Sequence, residues 1–390
     1  MLKAAKRMMV SLRTSGWRWS SSLLLDRAGI PALRLWNDTV VPAEMLAEQI
    51  KAIFIAWGMS AVHAAIAVDH LLYADLHGID SHGCGMLLQY HRDLRAGKLT
   101  MTPEIRLVRE SMTTALVDGG GGLGHLAGSY AMKVAIARCR EAGIGAVAVR
   151  NSNHFGAAGT YAIMAARAGY IGVSMTSTPE PAVVPTFGLK AMLGTNPISF
   201  AAPARRNRPF LLDMATSTVP LGKLLTAWRK GKPVPEGWAL DARGNPVTNS
   251  RRAAGFRRLT PLGSTREMGS NKGYGLAAAV EILSSILACG QSAPDPQKPR
   301  RPVGHFFLAL DPQQFLPEGK FEDGLDAMMD SLRASEPRDA SQPVLVAGDP
   351  EYAAYEQRRR SGIPIPRGIM EDIRLICKTS NAPFLMDKRV

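Results

Sequence analysis

Short apolar segments alternating with helix-length stretches constrain this chain more than any other feature. Residues 113–117 (Thr-Thr-Ala-Leu-Val) read as a strand, followed by a glycine run and a helical segment from about His125 to Glu141. Ile144–Val149 is the next short strand, before a polar loop and a helix over about 158–168. Ile171–Met175, Ile198–Ala201 and Phe210–Met214 read as further strands. A helix is expected from Gly273 to about Leu287, a strand over Val303–Leu310, and helices over 320–335 and 349–360. Residues 291–302, with four prolines and three basic residues, read as a loop. Strands alternating with helices indicate an α/β protein.

The first part of the chain is different. Residues 41–77 read as two helices around a turn at Gly58, with Ser60 as the second helix's N-cap. The uncharged run Ala52–Val68 has 17 residues, at the lower limit for a membrane span. Gly58, Ser60 and His63 interrupt it, so two packed helices explain it better and no membrane is expected. With 46% hydrophobic and 21% charged residues, the composition is that of an ordinary globular protein. Cys84, Cys139, Cys289 and Cys377 form no C-x-x-C pair, which argues against a cysteine zinc site and for a reducing compartment.

The net charge of +14 raises the question of a nucleic-acid partner. Part of the excess lies in residues 1–25, which carry Lys3, Lys6, Arg7, Arg13 and Arg18 and no acid. Residues 1–36 are therefore set apart as a basic extension, disordered or targeting. They resemble a mitochondrial presequence more than a secretory signal. A cytoplasmic protein is expected, or a mitochondrial-matrix one if the source is eukaryotic. The basic clusters at 251–258, 298–301 and 358–360 read as solvated loops, so no nucleic acid is expected.

Gly119-Gly-Gly-Gly-Leu-Gly124 matches G-x-G-x-x-G between a strand and a helix, with Glu141 further on. It can be read as a Rossmann fingerprint that lets a pyrophosphate approach the backbone. It can also be read as a close-packed strand-to-helix turn. Asp118, directly before the run, sits poorly beside an anion.

Three constellations carry chemistry. In Gly78-Ile-Asp-Ser81-His82-Gly83 a loop histidine stands between a hydroxyl and a glycine, and its intrinsic pKa suits proton transfer. Asn151-Ser-Asn-His154-Phe-Gly156 is a polar cluster after a strand. In Leu212-Asp213-Met214 a carboxylate ends an apolar strand and needs a partner, a histidine or a helix N-terminus. His63, His70 and His77 recur every seven residues on one helix face, which is not a metal-ligand spacing.

Together these segments resemble one family, the malate/L-lactate dehydrogenase-like oxidoreductases. That family also holds ureidoglycolate dehydrogenase, diketogulonate reductase and the piperideine-carboxylate reductases. The resemblance runs from about residue 40 to about 375. It rests on GIDSHG (78–83), VRNSNHFGAAG (149–159), LGTNPISFA (193–201), LDMATS (212–217), NKGYGLAAAVEIL (271–283), GHFFLALDP (304–312) and AGDPE (347–351).

The resemblance implies a non-Rossmann nicotinamide-binding α/β fold with a helical domain built from both chain ends, so the glycine run is expected to be structural. The implied division is a helical part over 37–115, the nicotinamide-binding domain over 116–310, and a second helical part over 311–390 packing back on the first. It implies a homodimer, NAD or NADP, a small-molecule substrate, and hydride transfer between nicotinamide and a 2-hydroxy/2-keto acid or cyclic imino acid. His82 matches the proton donor, Ser81 and Asp213 the groups that orient or relay to it, and His154 a second active-site histidine, which some members use as the acid–base residue and which also contacts substrate. Thr176, Thr178, Leu212, Asp213, Met214, Gly348, Pro350 and Glu351 fall where the family contacts its dinucleotide. One position departs from the pattern S-H-G-x-x-R: Met86 stands where an arginine would hold the substrate carboxylate. Arg92 and Arg150 are the nearest substitutes by sequence. An altered substrate is expected, with a catalytically silent relative as the alternative. A metal-dependent hydrolase using His77, His82, His125 and His154 is a further reading, with no metal expected.

Overall fold

The computed structural model describes residues 38–229, 231–290 and 303–387. The basic extension at 1–36 and the whole proline-rich loop at 291–302, with the cluster at 298–301, lie outside the described residues.

The chain enters through a short strand, β1 (Thr39–Val41), and two helices, α1 (Ala43–Ala56) and α2 (Ala61–Leu76). Leu46, Ile50, Ile53 and Phe54 recur at helical spacing and are fully buried. Gly58, at φ 89°, makes the turn, and the Ser60 side chain accepts the His63 amide at the start of α2. The uncharged run is thus two packed helices. After the GIDSHG loop come α3 (Leu87–Arg95) and the antiparallel pair β2 (Arg106–Glu110) and β3 (Thr114–Asp118). Next come α4 (Gly124–Ala142), β4 (Ile144–Ser152), α5 (Gly159–Arg167), β5 (Ile171–Thr176), β6 (Ile198–Ala202) and β7 (Phe210–Met214). Two small helices, α6 (Leu221–Arg229) and α7 (Ser250–Phe256), pack with Val183, Val219, Leu224 and Leu259 into a satellite core. Helix α8 starts at Ser270 and passes through a π-helical turn, Ile282–Ile286, to Cys289. β8 (Val303–Leu310), α9 (Lys320–Arg333), α10 (Asp349–Ser361), β9 (Ile363–Ile365) and α11 (Arg367–Ser380) complete the fold.

The main sheet has seven strands in the order β2-β3-β4-β8-β5-β6-β7. Among the described residues only β3 and β4 pair in parallel; the other neighbours run antiparallel. That is not the pattern of a parallel doubly wound sheet. β8 comes last in sequence but lies at the centre, bonded to β4 and β5. Val117, Val147, Phe155, Tyr161 and Phe307 fill the core between the sheet and its helices. The helical core joins both chain ends: β1 pairs with β9, and Ile373 and Ile376 of α11 pack with α1 and α3.

Two expected boundaries shift. β2 already belongs to the sheet, so the sheet begins at Arg106 and not after residue 115. The segment 311–390 also divides. α9 closes over the β6–β7 turn, because the buried Asp326 carboxylate accepts the Arg206 and Asn207 amides. β9 and α11 return to the N-terminal helices.

Candidate active site

The GIDSHG loop is fixed from below. Asp75, near the end of α2, accepts the Cys84 amide at 2.8 Å. A Cβ at Gly83 would sit 1.8 Å from that carboxylate, so only glycine fits. Burial pushes the Asp75 carboxyl up to about 7. Arg358 of α10 ties down the loop's outer side, donating to the Asp75 carbonyl at 2.6 Å and pairing with Asp80. On this platform Ser81 Oγ meets His82 Nδ1 at 2.7 Å, which leaves His82 Nε2 for the cleft.

The polar loop after β4 supplies the opposite wall. His154 lies with its ring centre 5.4 Å from that of His82 and nearly parallel to it. His82, His154, Gly156, Thr176, Thr178 and Thr195 share one cleft. Gly156 has φ +76°, and a Cβ there would meet His125 Nε2 at 2.7 Å. Beneath the cleft His305 bridges Thr176 Oγ1 (2.6 Å) and Ser152 Oγ (2.7 Å). Burial pulls His82 down to about 4. It pulls His154 and His305 to about 3, with repulsion from His82 and His305 adding for His154. Each therefore rests as a neutral imidazole at pH 7.

Asp213 stands apart from His82. Its carboxylate accepts the Gly159 amide at 2.7 Å, at the start of α5, and no bond joins it to His82. The strand-end carboxylate has found a helix N-terminus, the other partner the sequence allowed. Burial raises Asp213 to about 6, with Glu351 adding to the rise. Leu211, beside Leu212 on β7, donates its amide to the Ala347 carbonyl at 3.2 Å. Gly348 then packs on Leu211 at φ +101° and opens α10 with Pro350 and Glu351. The expected cofactor residues thus form two groups, Thr176 and Thr178 in the cleft and the rest at the β7–α10 junction.

Other expectations shift. Met86 packs against the helical core and is not among the cleft's lining residues. An apolar side chain at that position follows the hydrophobic effect into the nearest core. Arg150 pairs with Asp118 at 3.2 Å, so it offers no ready substitute for the missing arginine. The glycine run is filled with protein. Asp118 accepts the Gly120 amide, and Cβ atoms at Gly122 and Gly124 would collide with Pro103 and with the Asn153 carbonyl. Among the described residues no three His, Cys, Asp or Glu side chains gather as metal ligands. The sequence did not single out Asp75, Tyr90 or Thr195, because nothing local marks a residue whose importance lies in what it touches.

A nicotinamide dinucleotide suits this donor set. Threonine hydroxyls in the cleft can bond a carboxamide and a ribose, and Gly156 keeps one wall free of a side chain. At the β7–α10 junction the helix begins without a side-chain cap; Pro350 has no N–H and the Asp349 and Tyr352 amides bond the Val346 and Gly348 carbonyls, so the first turn offers a polar ligand the Glu351 amide.

The family model described as malate/L-lactate dehydrogenase matches residues 41–374. The chain is similar to malate dehydrogenase of Pyrococcus horikoshii, 40% identical over 346 residues, covering 88% of this chain and 96% of that one. It is 37% identical over 325 residues to L-sulfolactate dehydrogenase of Methanocaldococcus jannaschii, covering 82% and 92%. The solved P. horikoshii structure superposes with a TM-score of 0.81 at 38% identity, covering 89% and 97%. The solved malate dehydrogenase of Entamoeba histolytica gives 0.84 at 30% identity, covering 89% and 99%.

Proposed function

From the premise that this chain belongs to the malate/L-lactate dehydrogenase family, we propose that it is an NAD(P)-dependent dehydrogenase. The reaction is hydride transfer between nicotinamide and a 2-hydroxy/2-keto acid or a related cyclic imino acid. The observation that carries this reading is the pairing of His82 and His154 across one hydroxyl-lined cleft. Thr176 and Thr178 would hold the cofactor in the cleft, and Leu212, Asp213, Met214, Gly348, Pro350 and Glu351 would hold it at the β7–α10 junction. Bound there, the cofactor supplies or accepts the hydride.

The protein's part is orientation and the proton. Oxidation of a hydroxyl requires a base, and neutral His82 offers Nε2 while Ser81 steadies Nδ1. In the reductive direction, the negative charge of a bound carboxylate offsets the desolvation that holds His82 down, and the imidazolium can then donate. Asp213 acts through the start of α5 and not through a direct bond to His82. Met86 cannot pair with a carboxylate. Loss of a charged hydrogen bond costs about 1.5–3 kcal/mol, or roughly tenfold to a hundredfold in binding, so an altered substrate is the proposed consequence. The outward face of α8, with Ile282, Ile286 and Leu287 exposed, supports a homodimer. That same helix, Ser270–Cys289, is the one described helix long and apolar enough to cross a membrane. Its other side packs on β8, where Gly304 approaches Ser284 too closely for a Cβ.

The test is to follow reduced-nicotinamide absorbance with NADH and NADPH separately, against 2-keto acids, cyclic imino acids and carboxylate-free ketones. Turnover with one acceptor class is expected, and His82→Ala should lower kcat roughly 10²–10⁴-fold with little change in cofactor Kd. Cofactor binding without turnover of any acceptor would favour the silent relative. A mild His82→Ala beside a severe His154→Ala would move the proton to His154.

A further inference from the structure

The two cleft histidines meet different kinds of partner. His82 Nδ1 meets the Ser81 hydroxyl, which can donate or accept. That contact tolerates either neutral tautomer and the imidazolium. His154 Nδ1 instead receives the Gly156 backbone N–H at 3.3 Å, a group that can only donate. The Tyr90 hydroxyl lies 2.8 Å from the same nitrogen. A ring nitrogen that accepts from an amide carries no proton, so Tyr90 donates to it as well. A neutral imidazole with a bare Nδ1 carries its proton on Nε2.

Resting on the dehydrogenase reading of the cleft, we propose that Tyr90 is a positioning residue of this site. With the Gly156 amide it fixes His154 as the Nε2–H tautomer, a hydrogen-bond donor to a substrate oxygen that keeps its proton through the reaction. Tyr90 is suited to this. It is 1% exposed on α3, the helix that follows the His82 loop, and burial drives its phenol pKa well above the ordinary value, so the hydroxyl stays protonated and donating. The surroundings oppose a charged His154: protonating Nδ1 would set it against the Gly156 N–H, and His82, His125 and His305 stand nearby. In the reductive direction the carbonyl carbon receives the hydride, and the carbonyl oxygen takes the electron pair of the broken π bond. The proton for that oxygen comes from His82 Nε2, while the His154 Nε2–H bond stays intact. The arrangement divides the labour: one histidine exchanges a proton, the other holds charge in place.

The test uses the full chain labelled with ¹⁵N-histidine, without substrate, so it does not depend on turnover. Long-range ¹H–¹⁵N spectra report the protonation of each ring nitrogen, and His154→Gln identifies the signal. The expected result is a pyrrole-like Nε2 and a pyridine-like Nδ1 for His154 throughout pH 6–8, whereas an Nδ1–H tautomer or an imidazolium at pH 7 would overturn the proposal. Tyr90→Phe, checked for an unchanged circular dichroism spectrum, should bring a second His154 tautomer into the spectrum. It should also lower kcat/KM about tenfold while leaving the pH limb of the His82 group in place. An unchanged tautomer population together with unchanged kcat/KM would remove Tyr90 from its role. Failure of the substrate panel with the tautomer intact would instead count against the dehydrogenase reading alone.

Discussion

Two strand-to-helix turns lie side by side in this molecule, and they differ in a way their sequences conceal. Gly119–Gly124 links β3 to α4, and residues 153–158 link β4 to α5. The strands are parallel neighbours; the first turn bonds the end of β4 through the Gly119 and Gly121 amides and the Arg150 and Asn151 carbonyls, and meets the second turn where the Gly124 amide donates to the His154 carbonyl at 3.1 Å. The first turn has the glycine pattern of a nucleotide loop, yet Pro103, Glu104 and Asn153 occupy the space a phosphate would need. The second carries one histidine and one left-handed glycine, and it opens onto the cleft. A turn's chemistry depends on whether other parts of the chain fill the space above it.

The sharpest way to test that contrast is to add one methyl group to each turn. At the open turn, Gly156→Ala places a Cβ against His125 in a left-handed conformation. A displacement of about 1 Å at a reacting group can cost on the order of 10²-fold, so kcat/KM should fall by that order. Retained activity would show that the loop around His154 has slack. Gly124→Ala acts where the two turns meet, since its Cβ would lie 2.3 Å from the Asn153 carbonyl. Overpacking of this kind costs about 1–3 kcal/mol, which urea unfolding should detect, together with a loss of activity from the displaced loop.

Acid provides a subtler separation. His305 stays neutral in the fold down to about pH 3, but an unfolded imidazole protonates near its ordinary value of about 6.5. Between those values the unfolded state binds the extra proton, so the stability this group contributes above pH 6.5 is lost as pH falls. His70, His82 and His154 act in the same direction. Asp118 in the closed turn behaves otherwise. Burial would raise its pKa, but bonds from Gly120, Asn151 and Arg150 outweigh that and lower it. Its contribution is intact above the ordinary carboxylate range and is lost as pH falls through that range and below it. The urea midpoint should therefore drop between pH 7 and pH 5, and His305→Gln should flatten that slope by about one proton. An unchanged slope would mean that His305 is accessible to protons in the fold. The smallest expected effect comes from Gly121→Ala. Its φ of +70° predicts a loss of about 1 kcal/mol, while NADH and NADPH affinity should stay within about twofold. Abolished cofactor binding would return the glycine run to the functional site.

The sequence by itself determined the local structure and the inventory of the site. Short apolar segments located β3 to β8 but not β1, β2 or β9, helical spacing located α1 and α2, and Ser60 announced its cap, because these patterns record which parts of a segment are buried. The motif blocks named His82 and His154, the family resemblance pointed to Thr176, and the fold brings the three together. Only the tertiary structure decided that β8 enters the middle of the sheet, that Asp213 rests on α5 and not on His82, that Met86 joins the helical core, and that Tyr90 reaches His154. Each of these depends on two segments distant in sequence meeting in space. Periodicity shows that a side chain is buried, but only packing shows what it is buried against.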